Sequence, residues 1–415
     1  MNISASIEGS SRELGSPAPV TRRKVFYVSG FDPLGPRRYR ELHRSEGKRQ
    51  AAIIGYQIEL EAIPRTSNEP YRWITRLSDK GHETEAEFEF LAWDDIVRHS
   101  IRPSLLYVYS LMVRTFWVYL SSGAIRAMLR LRSGPLVAGL VPAAVMMFYL
   151  VFALLGGIAA GFIASSGIGT PIWAAASVGL TSAIGIMLGT RLLEEQMMVY
   201  FMVNDLGYTA VRGGGYPSAI DQRLSQFGRA IAEAATDPSY DEVLVVGHSS
   251  GAQLAVTAVA RALEYAPESK LSLLTLGQSI AMLSFLTKAN VLRRDLANVA
   301  DSVRVFWLDV TAMGDGACFA LTDPVATCRS RGRIGSSPLV VSAAFSKTMA
   351  DGEMRRYRWR FMRLHFQYLC AFERPDDYDY FQVTGGSKTL LERYGQRHPS
   401  PSMIAEPVAP VCHPD

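Results

Sequence analysis

The chain carries no charged residue between Ser133 and Thr190. About 20 helical residues cross a bilayer core that is about 30 Å thick, so this stretch is long enough for two crossings and a turn. We expect the first span near residues 135–164 and the second near 172–190, joined by the sequence SSGIGTP. The alternative is a helical hairpin buried in a soluble protein, but such long helices normally carry a polar stripe, and this stretch has none.

Arginines flank the uncharged stretch on both sides. Arg126, Arg130 and Arg132 precede it and Arg191 follows it, whereas the turn is uncharged. The positive-inside rule therefore predicts a multi-pass membrane protein with both ends of the hairpin in the cytoplasm. Residues 101–132 mix aromatic residues with arginines, which predicts an amphipathic helix at the membrane interface or a surface helix of the soluble domain.

Composition excludes several other classes of protein. Charged residues make up 20% of the 415 residues and hydrophobic residues 48%, and the net charge is only +4, so neither a disordered chain nor a nucleic-acid-binding protein is expected. The four cysteines form no C-x-x-C pair, which argues against a zinc site and a disulfide framework. Residues 1–23 lack a secretory signal and are predicted to be a disordered leader, and the Pro-rich residues 396–415 a disordered tail.

Residues 24–100 and 191–395 have the patterns of one α/β domain that the hairpin interrupts. The sequence SAIDQRLSQFGRAIAEAAT has helical spacing of its apolar residues. Predicted strands are KVFYVSGF, IIGYQIELEAI and TEAEFEFLAWDD before the hairpin, and DEVLVV, KLSLLTLG, SVRVFWLDV and YRWRFMRLH after it. Alternating strands and helices predict a mostly parallel sheet with helices on both faces, and the functional site of such a sheet lies beyond the carboxyl ends of its strands.

A short motif lies where one predicted strand meets a helix. In VLVVGHSSGAQLAVTAVA the spacing is G-x-S-x-G, with Ser249 at its centre. The small residues permit a sharp turn that exposes a serine hydroxyl as a nucleophile, although an ordinary glycine-rich turn has the same composition. The N–H of Ser250, at the start of the helix, is placed to stabilise a developing oxyanion.

With this motif in this context, the sequence resembles the α/β-hydrolase family, in particular its lipase and esterase members. The resemblance covers the two parts of the α/β domain, and the hairpin between them departs from the family pattern. It implies a catalytic triad in the order Ser, Asp or Glu, His, and an oxyanion hole completed by an N–H after an early strand. That donor maps to Phe31 in VSGFDPLG, which departs from the HGGG form of many esterases, so a turn without a catalytic role is equally compatible.

The implied order selects His365 as the base. It follows the predicted strand YRWRFMRL, whereas His248 adjoins Ser249 and is interpreted as structural. The other histidines precede Ser249 or lie at or in the Pro-rich tail: His43, His82, His99, His398 and His413. For the acid we expect Asp315, in a Gly-flanked loop beyond a strand, with Asp309 as the second candidate; Asp323 precedes a proline and is interpreted as a turn former.

The sequence therefore predicts a membrane-anchored serine hydrolase that cleaves acyl esters at the cytoplasmic membrane face. Ser249, His365 and Asp315 form the expected triad, and the N–H groups of Ser250 and Phe31 the oxyanion hole, without a metal or organic cofactor. The expected partners are the bilayer and a lipid or other acyl-ester substrate. Two alternatives remain: an inactive membrane scaffold or interaction protein on the same fold, and a thioesterase or peptidase with the same triad.

Overall fold

The structure is a computed structural model that describes residues 18–64, 66, 69–102, 104–166, 170–193, 198–328, 337–357 and 360–411. The expected leader lies largely outside these residues, and its last two residues already belong to the first strand. The strands are β1 Arg22–Val28, β2 Gln57–Ala62, β3 Tyr71–Asp79, β4 His82–Phe90, β5 Glu242–His248, β6 Leu271–Leu276, β7 Val305–Thr311 and β8 Leu339–Ser342.

These strands form one sheet in the order β2-β3-β4-β1-β5-β6-β7-β8. The pairs β2–β3 and β3–β4 are antiparallel, and the remaining neighbours are parallel. Along β5, Val243 and Val245 face one hydrophobic cluster, and Leu244 and Val246 face another on the opposite side. A strand buried on both faces is apolar along most of its length, which explains the uninterrupted apolar run from Val243 to Val246. The structure therefore confirms an α/β fold with a mostly parallel sheet.

The helices of the described residues cover both faces of the sheet. The first six are α1 Pro36–Ile54, α2 Asp94–Ser100, α3 Leu105–Ser121, α4 Ala124–Met128, α5 Ser133–Ser165 and α6 Ile172–Gly189. The next five are α7 Val199–Ala210, α8 Ser218–Thr236, α9 Gly251–Tyr265, α10 Ile280–Ser284 and α11 Asn290–Asp301. The last five are α12 Phe345–Thr348, α13 Glu353–Tyr357, α14 Phe361–His365, α15 Tyr380–Gly385 and α16 Leu390–Tyr394.

The uncharged stretch folds as two helices, α5 and α6, that are long and apolar enough to cross a membrane. Within the candidate spans Ser133–Ser165 and Ile172–Leu193 the mean hydropathies are 2.3 and 1.7, and only 22% and 6% of an 18-residue stretch of each span are buried within the protein. The helices approach closely where Gly157 lies opposite Gly179, since a Cβ on Gly157 would be 2.6 Å from the Gly179 carbonyl oxygen. Small residues of this kind let two helices pack tightly in lipid. The turn between them lies partly outside the described residues.

Three segments differ from the sequence-based expectation. Residues 361–365 of the predicted last strand YRWRFMRLH form α14 instead, and the last strand of the sheet is the four-residue β8. Strand β3, which the sequence analysis missed, pairs along its whole length with β4. The segment YRWRFMRLH alternates large apolar and basic residues. Such a pattern suits a strand, but it also suits a short helix with one side packed on the core, so it does not distinguish a strand from a helix.

Residues 397–411 pack against the domain, in contrast to the expected disordered tail. Ile404 forms a parallel bridge with Thr322, and the N–H groups of Val408 and Ala409 both donate to the Thr327 carbonyl at 3.0 Å. Val408 and Ala409 are buried. The prolines prevent a regular strand here, but the apolar residues between them still contribute to the core.

Candidate active site

Ser249 lies on the turn between the central strand β5 and helix α9. Its φ is +60°, a left-handed conformation that non-glycine residues rarely adopt, and its N–H donates to the Leu276 carbonyl of β6 at 2.9 Å. Two glycines leave room for this turn. A Cβ on Gly30 would lie 3.0 Å from the Ser249 Cβ, and a Cβ on Gly251 would lie 2.5 Å from the Val28 carbonyl oxygen. Strained backbone held by close packing is typical of functional sites.

His365 and Asp315 are hydrogen-bonded to each other. The Nδ1–H of His365 donates to Asp315 Oδ2 at 2.8 Å, and both side chains are buried. Because the carboxylate accepts this bond, Nδ1 carries the proton and Nε2 is left as an acceptor. Nε2 has no hydrogen-bond partner within the described part of the chain, so the Ser249 hydroxyl is not yet bonded to it. Ser249 and His365 nevertheless line the same cavity.

Two further donors hold the Asp315 carboxylate. The Tyr368 hydroxyl donates to Oδ2 at 3.0 Å and the Ala317 N–H donates to Oδ1 at 2.9 Å. Burial alone raises the pKa of Asp315, but the attraction to His365 and the bonds from His365, Ala317 and Tyr368 outweigh it and lower that pKa below its usual value. Asp315 is therefore held as a carboxylate facing an imidazole.

The second acid candidate has a different environment. Asp309 is fully buried in β7 and accepts a hydrogen bond from Thr275 Oγ1 at 2.5 Å. Its burial raises its pKa to about 8. It makes no hydrogen bond to His365, and within the described residues its Oδ2 has no partner. The structure thus joins Asp315, and not Asp309, to the histidine.

His248 contacts the main chain of the predicted base. Its Nε2–H donates to the His365 carbonyl oxygen at 2.8 Å, and the two imidazole rings are 4.8 Å apart. Burial, and secondarily the proximity of His365, lowers the pKa of His248 to about 3, so this ring stays neutral. The expected structural role of His248 thus takes a specific form: it fixes the backbone that carries His365.

The two expected oxyanion donors are next to each other. Ser250 precedes α9, where N–H groups point out of the helix start. The Phe31 N–H donates to Ser250 Oγ at 2.9 Å, so in this state the second expected donor is engaged by a protein hydroxyl. The Ser250 hydroxyl has to rotate away before the Phe31 N–H can bind an oxyanion.

The cavity around Ser249 has a volume of about 570 Å³. Most of its lining is apolar, and part of that lining comes from the base of the hairpin and from α7: Pro135, Ala138, Gly139, Phe201, Met202 and Leu206. The start of α5 also contacts the loop that carries Asp315, since a Cβ on Gly134 would be 3.1 Å from the Gly316 carbonyl oxygen. The uncharged hairpin is therefore part of the wall of the site.

Polar groups occupy another part of the same cavity. Asp32 accepts hydrogen bonds from the Arg38 guanidinium at 2.8 Å and from the Tyr39 hydroxyl at 2.9 Å. The Arg38 guanidinium lies 4.6 Å from the centroid of the Phe366 ring, and all four residues line the cavity. A charged pair at the cavity wall can contact the polar part of a ligand whose apolar part lies elsewhere.

Asp205 is a further carboxyl group in the cavity, and the sequence analysis missed it. It is half-buried on α7 and lies close enough to His365 to be attracted by it. Desolvation raises the pKa of Asp205 to about 7, and the attraction to His365 only partly opposes this. The available signal was that Asp205 is the one charged residue between Val199 and Val211.

We expect Asp205→Asn to reduce the pH dependence of stability. The folded protein retains the Asp205 proton between about pH 4 and pH 7, whereas the unfolded chain has lost it, so stability falls as pH rises through this window. Each unit by which the pKa of Asp205 differs between the folded and unfolded states changes the free energy of unfolding by about 1.4 kcal/mol. Urea unfolding of wild type and variant at pH 5 and pH 8 measures it.

The wild type should lose more stability than Asp205→Asn between these two pH values. The comparison with the variant is needed because Asp309, whose pKa is also raised, adds a similar dependence to both proteins. If the wild type and the variant lose equal stability between pH 5 and pH 8, the pKa of Asp205 is not raised.

Comparison with protein-family models, with curated proteins and with solved structures finds no match to this chain.

Proposed function

We propose that this protein is a membrane-anchored serine hydrolase of the α/β-hydrolase type that cleaves acyl esters. The observation that carries the proposal is the position of Ser249: a left-handed residue after a central parallel strand, in one cavity with a histidine that is hydrogen-bonded to a carboxylate. An activated serine nucleophile requires such a turn and a base that is oriented by a carboxylate, and both are present here.

In the proposed reaction, Ser249 Oγ attacks the ester carbonyl carbon while its proton passes to His365 Nε2. Asp315 keeps Nδ1 protonated and stabilises the charged imidazolium that results. The oxyanion accepts hydrogen bonds from the Ser250 N–H and, once the Ser250 hydroxyl has rotated, from the Phe31 N–H. The C–O bond to the alcohol breaks as His365 returns the proton to it. Water, deprotonated by the same histidine, then attacks the acyl carbon. The bond between that carbon and Ser249 Oγ breaks, His365 returns the proton to Oγ, and the acid is released.

The apolar helices support the membrane part of the proposal. Large apolar side chains are exposed along α3, α5 and α6, including Phe116, Trp117, Phe148, Phe162 and Trp173. Exposed apolar surface of this extent normally marks an interaction surface, and here it continues from the helices that are long enough to span a bilayer. We propose that α5 and α6 cross the bilayer with the arginine-flanked ends on the cytoplasmic side, and that α3 lies at the interface.

Fluorophosphonate labelling of membranes that contain the full-length protein tests the function. We expect the wild type to be labelled, with peptide mapping locating the adduct on Ser249. Ser249→Ala should abolish labelling and His365→Ala should slow it by at least a hundredfold, because no base then accepts the serine proton. Ser121→Ala removes an exposed hydroxyl at the end of α3 and should be labelled like the wild type.

If folded wild type is not labelled, the proposal is wrong and the scaffold alternative takes its place. If it is labelled, hydrolysis of matched oxygen esters, thioesters and peptides separates the esterase from a thioesterase or peptidase. The predominantly apolar cavity favours an acyl group over a peptide, since buried peptide groups need hydrogen-bond partners.

A further inference from the structure

A second, smaller cavity adjoins the one that contains Ser249. Its volume is about 60 Å³, and it lies between α3, α5 and α7. Four residues line both cavities: Tyr119, Gly139, Leu206 and Met282. The two spaces therefore meet at a shared boundary that is formed by one helix of the hairpin and its neighbours.

The lining of the second cavity is almost entirely apolar. Tyr119 uses its hydroxyl to bond the Met282 carbonyl oxygen at 3.0 Å. The one other polar side chain of the lining is Thr115, whose buried hydroxyl has no partner within the described residues. A polar headgroup would lose its hydration here without gaining hydrogen bonds, whereas each methylene group that leaves water for such a space gains about 0.8 kcal/mol.

The far side of the second cavity reaches the apolar outer surface. Phe116 of α3 and Leu140 of α5 line the cavity and are also 46% and 41% exposed. Both helices present apolar side chains outward at this level, among them Val113, Leu120, Val137 and Val141. The cavity thus lies between the Ser249 site and a surface that suits lipid.

We propose that the acyl chain of the substrate passes from Ser249 between Gly139, Leu206 and Met282 into the second cavity, which holds part of the chain, and on toward the bilayer. The alcohol side of the ester then faces the polar wall around Asp32 and Arg38. This assigns the substrate class as esters of long-chain fatty acids that are embedded in a membrane. The inference rests on the proposed hydrolase function and specifies its substrate.

Gly139 offers a direct way to block the proposed path. A Cβ at this position would make ordinary contacts, 3.5 Å from Leu206 Cδ1 and 3.7 Å from Met282 Cε, so a larger side chain has to extend into the boundary between the cavities. Ala143 lines only the second cavity, one helical turn further along α5. Among the described residues, no atom outside the neighbouring backbone of α6 lies within 4 Å of a Cβ built on Gly185, so this glycine provides a matched control.

The experiment measures kcat/KM of the detergent-solubilised full chain on p-nitrophenyl esters with 4, 8, 12 and 16 acyl carbons. Fluorophosphonate titration counts the folded active sites, so a poorly folded variant does not imitate a selective one. In Gly139→Phe, the ratio of kcat/KM for the 16-carbon ester to kcat/KM for the 4-carbon ester should fall at least tenfold relative to wild type. In Ala143→Phe, kcat/KM should begin to fall at a longer acyl chain than in Gly139→Phe. Gly185→Phe should keep the wild-type ratios of kcat/KM.

The two proposals fail in different ways. If wild type is labelled and cleaves the 4-carbon ester, but the chain-length profiles of Gly139→Phe and Ala143→Phe match that of wild type, the acyl path is wrong and the hydrolase stands. If folded wild type is neither labelled nor active on any ester, both proposals are overturned. A stepwise shift of the chain-length limit with the position of the phenylalanine supports the path.

Discussion

Asp315→Asn should lower kcat for ester hydrolysis by about 10³- to 10⁴-fold while leaving the fold intact. The reason lies in the donors around the carboxylate. The Ala317 N–H donates to Oδ1 and cannot turn away, so the asparagine oxygen is held at that position and the NH₂ group takes the place of Oδ2. There it faces His365 Nδ1 and the Tyr368 hydroxyl, which can rotate to accept a hydrogen bond, whereas the Ala317 N–H cannot. An amide donor at this point forces the proton of the imidazole onto Nε2, and His365 then cannot accept the proton of Ser249.

Asp309→Asn is the matched control for this prediction. Asp309 is the same residue type, is equally buried, and lies on the strand that precedes the Asp315 loop. It has no bond to His365, so its conversion to the amide should change kcat less than threefold. Steady-state kinetics with both variants, alongside thermal unfolding to verify their folds, makes the comparison. An Asp315→Asn enzyme within tenfold of wild type, or an Asp309→Asn enzyme that is equally impaired, contradicts the assignment of the acid.

Gly251→Ala should destabilise the folded protein by about 3 kcal/mol or more. The added Cβ would lie 2.5 Å from the Val28 carbonyl oxygen and 2.6 Å from the Ser29 carbonyl carbon. These atoms cannot yield, because β1 is paired on both sides, by β4 and β5, and the Trp93 indole N–H donates to the Ser29 oxygen at 2.9 Å. The slight helical preference for alanine over glycine does not offset a clash with central backbone.

Urea unfolding in detergent measures the effect, and fluorophosphonate labelling reports on the turn. The control is Gly189→Ala in α6. In the described part of the chain, no atom outside the neighbouring helix backbone lies within 4 Å of a Cβ built there, so the stability of this variant should be unchanged or slightly higher. Loss of folded Gly251→Ala protein during purification is the same result in its extreme form. A variant that unfolds within 1 kcal/mol of wild type and is labelled at the normal rate shows that the turn is not tightly packed.

The parts of the fold that the sequence predicted are those with a strong local signal. Helix α8 and the strands β5, β6 and β7 lie close to the expected positions, because a buried parallel strand is apolar at every position and an amphipathic helix is periodic. Strand β3 carries arginines among its apolar residues, and β8 has only four residues. Neither strand has a local sequence pattern that distinguishes it from a loop, because each is stabilised mainly by its partner strands in the sheet.

The residues of the candidate site also divide into those that have a local sequence signal and those that do not. The motif points to Ser249, and a place beyond the end of a strand points to Asp315, which the structure joins to His365. The sequence predicts His365 after a strand, and the structure places it on the short helix α14. The contributions of Asp205 and of the hairpin base come from elements that are distant in sequence and meet only in the folded chain. No local sequence pattern predicts contacts between elements that are so far apart in the chain.

The order of the strands has a consequence for how the protein is made. The central pair joins β1 to β5, including a buried ion pair between Arg23 and Glu242 at 2.6 Å, and α5 and α6 are encoded between these two strands. During synthesis β1 therefore leaves the ribosome long before its neighbour, and the hairpin is complete before β5 exists. Ser249 follows β5. Ser249 is consequently assembled after the hairpin, so the turn that carries it forms only on a chain whose hairpin has already been translated.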